Sequence, residues 1–467
     1  VGKELSTPRP VSVPEFSVST RWLLAVVVWV LVGVTLPACS SSAQELEAPD
    51  VLPPPSSPLS DDPNEDADQG QPQARPQAPA PTGTVFPSLQ FPGRDDLAEF
   101  RRSIYEKYGF TFGASYQQLF QSTSATARTA TNDTALGGWA AVSTTWTALD
   151  RGGPYEGTLV VRGAFRGSLG DNTVPAVFGL RDIGSLWSNY EWTSWNQGFR
   201  IEDLFWEQKI GSQFSFRVGN QGPQAVFNFF RFKDARTGFT ASPAAFNETI
   251  PYPTFGLGAS FRLWPIVTDP GVYVVGTLND MNGDPAANGL DWSTFGKRQY
   301  FYGVELGKDW RRDNGEFDHL HLDLFYADRR STRNPDTSPN VAGGGFKLAG
   351  EKQIGQIVAF ANYVYNTAQG GGISTTVSRH TAIAGVAYLR PFDIQGEVAV
   401  STMWARSFAN LIPGVDARNQ YGVETYWTIG VTPNSSLTPG IQLIFNPALN
   451  PSRDFVAVPH VKFRIFF

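Results

Sequence analysis

The chain has 467 residues, with 37 basic and 43 acidic side chains and a formal net charge of -6, so no basic excess points to nucleic acid or to an anionic surface. A mean hydropathy of -0.22 is too polar for a bundle of membrane helices, even with 13% aromatic residues. One Cys and two Met exclude a disulfide framework and a thiolate metal cluster, which need thiols in pairs or more.

The first residues read as a leader. The apolar run Trp22 to Leu36 follows Arg21 and precedes the small residues Ala38, Ser41, Ser42 and Ala43. A charged start, a short apolar stretch and a small-residue stop predict a secretory signal peptide over residues 1–43, with the first twenty residues a misplaced start or an extended leader. Leu36-Pro37-Ala38-Cys39 also resembles a lipoprotein cleavage box, which would leave Cys39 lipidated, although Pro is atypical at that place. Residues 44–93 hold Pro53-Pro54-Pro55, the acidic run Asp61 to Asp68 and the Pro- and Gln-rich stretch Gln71 to Thr82. Such a segment buries too little apolar surface to order itself and is predicted to be a disordered periplasmic tether. Over 94–107, Asp95 and Asp96 cap a short helix with Leu97, Phe100 and Ile104 on one side.

From 108 to 467 the period is two. Tyr108, Phe110, Phe112, Ala114 and Tyr116 share one face, and Gly109, Thr111, Gly113, Ser115 and Gln117 the other. Leu159, Val161 and Phe165 likewise oppose Thr158, Arg162 and Arg166, and Phe255, Leu257, Ala259 and Phe261 oppose Thr254, Ser260 and Arg262. Leu320, Leu322, Leu324 and Tyr326 oppose His319, His321 and Asp323, and Tyr421, Val423, Thr425 and Trp427 oppose Gln420, Glu424 and Thr428. Short links such as Asp150 to Tyr155, Gly211-Ser212 and Gln353 to Gly355 alternate with long ones such as Gly167 to Arg200 and Asn220 to Pro253. That alternation predicts an all-β fold, a transmembrane antiparallel β-barrel of about sixteen strands with tight turns at one rim and long loops at the other. An even number of strands closes the sheet without a free edge, as a bilayer requires. Alternation alone also suits a secreted two-sheet binding domain, a lectin or adhesin, which remains the rival from another class.

The last strand, with Phe455, Ala457, Val461, Phe463, Ile465 and Phe467 on one side, stops on Phe. It looks like the signal by which outer-membrane barrels are recognised for insertion, and it predicts the outer membrane of a Gram-negative-type bacterium as the chain's location. Three stretches, Leu97 to Tyr116, Leu204 to Gly219, and Phe239 to Phe261 with Gly271 to Asp280, resemble the carbohydrate-selective, OprB-like porins. The segment Asn220 to Arg236 is longer and more aromatic than that family's pattern, and the Pro-rich tether is foreign to it. The resemblance implies passive diffusion of small hydrophilic solutes, sugars foremost, through a barrel held in outer-membrane lipid; with the size of the chain it also implies a homotrimer.

Strand parity places Arg162, Arg166, Glu207, Lys209, Arg217, Arg262, Glu305, Asp323, Lys347, Glu397, Glu424, Lys462 and Arg464 inside, with Trp264, Phe301 and Tyr426. Mixed charges with aromatic faces suit neutral sugars, whose hydroxyls need donors and acceptors and whose C–H faces stack on rings. General solvation of the lumen explains the same charges without selectivity. In Asn220 to Arg236, Phe227, Phe229, Phe230 and Phe232 are too apolar for a solvated loop. They either fold inward as a constriction, bringing Arg231, Lys233 and Arg236 to the pore, or form an aromatic girdle at the outer interface. His319, His321 and Asp323 share a strand face, but neighbours on one strand stand too far apart for a compact metal site without further ligands. No nucleophile elbow, zinc-protease helix or phosphate loop is present, so no enzyme, cofactor, metal or nucleic-acid partner is expected.

Overall fold

A computed structural model describes residues 83–89, 94–127, 132–170, 172–187, 198–245, 247, 249–253, 255–269, 271–283, 290, 292–312, 316–330, 340–369, 377–409 and 416–467. The predicted leader, Cys39 and nearly all of the predicted tether lie outside the described residues. The helix α1 spans Arg94–Tyr108. It takes in Tyr108, which the period-two pattern had assigned to the first strand. Gly109 makes the turn from helix to strand with a φ of 77°, in the left-handed region. Across the adjacent turn, Arg151 Nη1 donates to the carbonyls of Tyr105 at 2.7 Å and Glu106 at 2.9 Å, satisfying the free end of the helix.

The strands follow as β1 (Phe110–Ser122), β2 (Thr134–Leu149), β3 (Gly157–Ser168), β4 (Gly198–Ile210), β5 (Phe214–Gln221), β6 (Gly256–Leu263), β7 (Val272–Asp280) and β8 (Tyr300–Arg311). The second half comprises β9 (Phe317–Ala327), β10 (Gly343–Ile354), β11 (Ile357–Asn366), β12 (Ser378–Leu389), β13 (Glu397–Ser407), β14 (Asn419–Trp427), β15 (Ile429–Thr432), β16 (Ser435–Phe445) and β17 (Phe455–Phe466). All pair antiparallel in one sheet, and β1 pairs with β17. At the seam Gln117 faces Arg464 and Gln121 faces His460. The amide of Phe467 donates to the carbonyl of Ala114 at 2.8 Å. Because β14 and β15 both lie against β16, they are two pieces of one stave, and the barrel has sixteen. Closure removes the edges that a bilayer cannot satisfy, and a single closed sheet leaves no second sheet for the secreted rival. Beside the β14–β15 break, Val85 and Phe86 donate backbone bonds to Gly430 at 3.0 Å and Val431 at 2.8 Å.

Side chains alternate as the period-two pattern requires. In β17 Phe455, Val461 and Phe463 are exposed, while Val456, Val458, His460, Lys462 and Arg464 are buried. Outward aromatic side chains gather at both rims. Phe110 stacks on Trp146 with centroids 5.4 Å apart, and Phe214 packs on Phe261 at 6.2 Å, beside the short turns. Phe445 meets Phe455 at 5.2 Å, and Tyr302 meets Tyr326 at 6.4 Å, beside the long loops. Two aromatic bands around an apolar belt are what the two headgroup layers select.

The lumen departs from a purely wet interior. The loop between β5 and β6 turns inward, and Phe227, Phe230, Phe232 and Phe239 are buried. Phe230 packs on Phe360 of β11 at 5.2 Å, and Phe239 packs on Tyr426 of β14 at 4.8 Å. Of the two readings of Asn220 to Arg236, the outer girdle is therefore overturned. Those rings pack on lumen-facing side chains, where they are kept from lipid and water alike. A second long loop, carrying a helical turn from Phe178 to Ile183, adds Phe178, Leu186 and Trp187 to the same interior cluster, with Ile383, Met403 and Val458 from the wall.

Candidate functional site

The loop between β5 and β6 is held to the wall by named bonds. Glu424 of β14 accepts from the amides of Thr240 at 2.6 Å and Ala241 at 2.8 Å. Lys462 of β17 donates to the carbonyls of Ala235, at 3.1 Å, and Gly238. On the opposite wall Glu305 of β8 accepts from the amides of Asn228 at 2.6 Å and Phe229 at 3.4 Å, and Lys347 of β10 reaches Asn228 Oδ1. Farther along, Thr249 and Thr381 hydroxyls are in hydrogen-bond contact. Fixing a backbone costs on the order of 1–2 kcal/mol per residue. Charge-assisted bonds together with several buried rings, each worth roughly 1.5–3 kcal/mol, are the terms that offset it.

The candidate residues read from strand parity fall into two sets. Glu424, Lys347, Lys462 and Glu305 are wall-side clamps on the loop. Arg231 belongs with them: it donates to Gln353 Oε1 at 2.8 Å and to the Phe317 carbonyl at 3.0 Å, with Glu351 at 3.7 Å. Arg464 lies 3.9 Å from Asp234 of the loop, and Lys233 is half-buried beside it in sequence. Asp323 is buried, 3.5 Å from His321 Nε2. Arg262 is buried over the rings of Tyr273 at 5.3 Å and Trp264 at 5.8 Å.

The second set lines β3 to β5. Arg162 bonds Asp203 at 2.8 Å and keeps 21% of its side chain exposed. Arg166 and Arg200 converge on Glu202 at 2.6 and 3.3 Å. Arg217 pairs with Glu207 at 3.0 Å and lies 4.8 Å from the Phe205 ring. Arg166 is stacked 3.8 Å above Trp139, and Arg236 from the loop sits 4.9 Å from the same ring.

Phe255 corrects the sequence reading. Its parity with Leu257 and Phe261 predicts a lipid-facing ring, but it lies just before β6 begins and is buried against Arg162, Arg166 and Arg200 at 5.8, 6.0 and 5.1 Å. Arg200, Glu202 and Trp139 were missed. The loop-length pattern makes Arg200 the end of a loop, whereas it is the inward third residue of β4. Its alternation with Glu202 was the available signal.

The histidines also differ from expectation. Expected to stand apart, His319 Nε2 and His321 Nδ1 approach to 2.7 Å, because both rings tilt toward one another with centroids 4.8 Å apart. Glu305 of the neighbouring strand brings a carboxylate oxygen within 4.8 Å of both.

A model of the carbohydrate-selective porin, OprB family, matches residues 90–467. Curated proteins give no match. A high-pH structure of Pseudomonas putida OprB superposes with a TM-score of 0.62 at 15% identity, covering 80% of this chain and 97% of that one. Salmonella typhi OmpF, in complex with daunomycin, gives 0.49 at 10% identity over 76% and 97%. The family match spans the whole sixteen-stave barrel and its inward loop, and the chain belongs to the OprB family of carbohydrate-selective porins.

Proposed function

We propose that this porin passes small neutral hydrophilic solutes, sugars foremost, past the arginine-lined wall of β3 to β5, and that the loop between β5 and β6 sets the width of that path. The observation that carries the reading is the cluster of Arg162, Arg166, Arg200 and Arg236 interleaved with Trp139 and Phe255. Arg162, with 21% of its side chain exposed, offers guanidinium N–H donors to solute hydroxyls, and the buried Trp139 and Phe255 rings hold the arginines behind it in place. Glu202 and Asp203 offset much of the positive charge, which suits an uncharged solute better than an anion. Flow is down the gradient, without a cofactor or a chemical step. Glu207, Arg217, Arg262, Asp323 and Arg464 shape the field around this path, Arg231 and Glu424 keep the loop in place, and Lys233 adds a positive charge to the loop. Assembly as a trimer rests on the family and on the size of the barrel.

The test is conductance across a planar bilayer with sugar added to one side. Block at millimolar sugar, weakened severalfold by Arg162→Ala, is the expected result. Steps of current unaffected by any sugar contradict the sugar reading and leave a general pore. Cross-linking in detergent that yields only single chains contradicts the trimer.

A further inference from the structure

The geometry points to a site for one divalent transition-metal ion inside the barrel, held by His319, His321 and Glu305. Each histidine turns its other nitrogen to a carboxylate. His319 Nδ1 lies 2.6 Å from Asp309 Oδ1, and His321 Nε2 lies 3.5 Å from Asp323 Oδ2. A ring nitrogen hydrogen-bonded to a carboxylate carries the proton, so His319 Nε2 presents a lone pair, and His321 Nδ1 presents a second when the His321 proton sits on Nε2, which has no hydrogen-bond partner of its own among the described residues. With the proton on Nε2, the two facing lone pairs, 2.7 Å apart, are donors for a cation placed between the rings.

Metal-bound histidines characteristically carry such an outer carboxylate, which fixes the tautomer and strengthens the donor. Two histidines with one glutamate also form a ligand set suited to zinc-like ions that keep a fourth position for water. Glu305 is already oriented, with Tyr273 donating to Oε1 at 2.5 Å and the Asn228 amide donating to Oε2 at 2.6 Å. Tetrahedral bonds of about 2.0–2.1 Å place two donors about 3.3 Å apart, so on binding the rings part by roughly half an ångström and the Glu305 oxygen, within 4.8 Å of both nitrogens, closes on the ion.

The neighbours decide the class of ion. Arg262 lies over the Tyr273 ring at 5.3 Å, and Lys347 is the cross-strand partner of Asp323. Both disfavour any dication, so a guest must gain its binding from the donors themselves, and calcium or magnesium gains little from imidazole. Imidazole donors favour zinc, nickel or copper. Because Glu305 also holds the amides of Asn228 and Phe229, a bound ion is joined to the inward loop through a single carboxylate.

The experiment uses the full chain in detergent, stripped with chelator and desalted, with Zn2+ for stoichiometry and Co2+ as a spectroscopic probe. Folding is verified by the gel mobility shift on boiling. The expected result is about one Zn2+ per chain and the visible absorption of four-coordinate Co2+. His321→Gln and His319→Gln abolish the band, Asp309→Asn weakens binding by about 10–100-fold, and His380→Gln, altered outside the cluster, changes nothing. Folded wild-type chain without the band, or variants that bind as well as wild type, overturns the site and leaves a shared proton between the rings. If the histidine variants fail to fold, the Co2+ spectrum of the unaltered chain decides alone. None of these readouts depends on which solute crosses the pore.

Discussion

Two walls of the same barrel follow one rule of alternation and end in opposite chemistry. Along β3 to β5 the inward positions carry Arg162, Arg166, Arg200, Glu202, Glu207 and Arg217. Along β11 to β17 they carry Val358, Phe360, Ile383, Met403, Ile444 and Val456, among which Glu424 and Lys462 serve as isolated clamps on the loop. The difference lies in what covers them. Two long loops fold in over the second wall and supply Phe178, Trp187, Phe230, Phe232 and Phe239, making a dry core there. Period two decides which side chains point inward, and the loops decide which of those pack on rings and which on opposite charges.

The comparison breaks most visibly if the loop is removed. Replacing residues 226–245 with a short Gly-Ser linker is expected to raise single-channel conductance severalfold while the barrel still shifts on boiling. Unchanged conductance would place the narrowing elsewhere. The next largest effect separates outside from inside on β2. Val142→Arg, on the exposed face, is expected to cost about 2–4 kcal/mol in unfolding from lipid. Ser143→Arg, one residue along on the lumen side, is expected to cost less than about 1 kcal/mol there.

A smaller change loosens the dry wall alone. Glu424→Gln removes the charge from the two bonds to Thr240 and Ala241 and is expected to weaken loop docking by about 1–3 kcal/mol. Faster protease cleavage within the loop and noisier current would report it. The smallest effect is at the rim of the charged wall, where Lys209 pairs with Glu156 at 2.8 Å. Lys209→Ala is expected to cost less than about 1 kcal/mol and to leave conductance nearly unchanged.

The staves were legible because each inward and outward pair is a local statement: Gln117 against Tyr116, or Lys462 against Phe463, needs no distant partner to be read. The short and long connections gave the two rims for the same reason. Phe255 was misread because parity holds only within a strand, and β6 starts one residue later. Whether Phe230 and Phe232 turn in or stay at the rim depends on Phe360, more than a hundred residues away, and no local pattern carries that. His319 and His321 were read as too distant because strand spacing describes Cβ positions, whereas ring tilt brings their nitrogens together.

The central claim is that the loop between β5 and β6 lies inside the pore, against the wall. It is tested most directly by replacing Thr249 and Thr381, whose hydroxyls touch, with Cys in a Cys39→Ser background and oxidising mildly in lipid vesicles. The account predicts near-complete internal cross-linking, with conductance as in the reduced protein. Cysteines that stay unlinked, and that react freely with a bulky thiol reagent added outside, would contradict it.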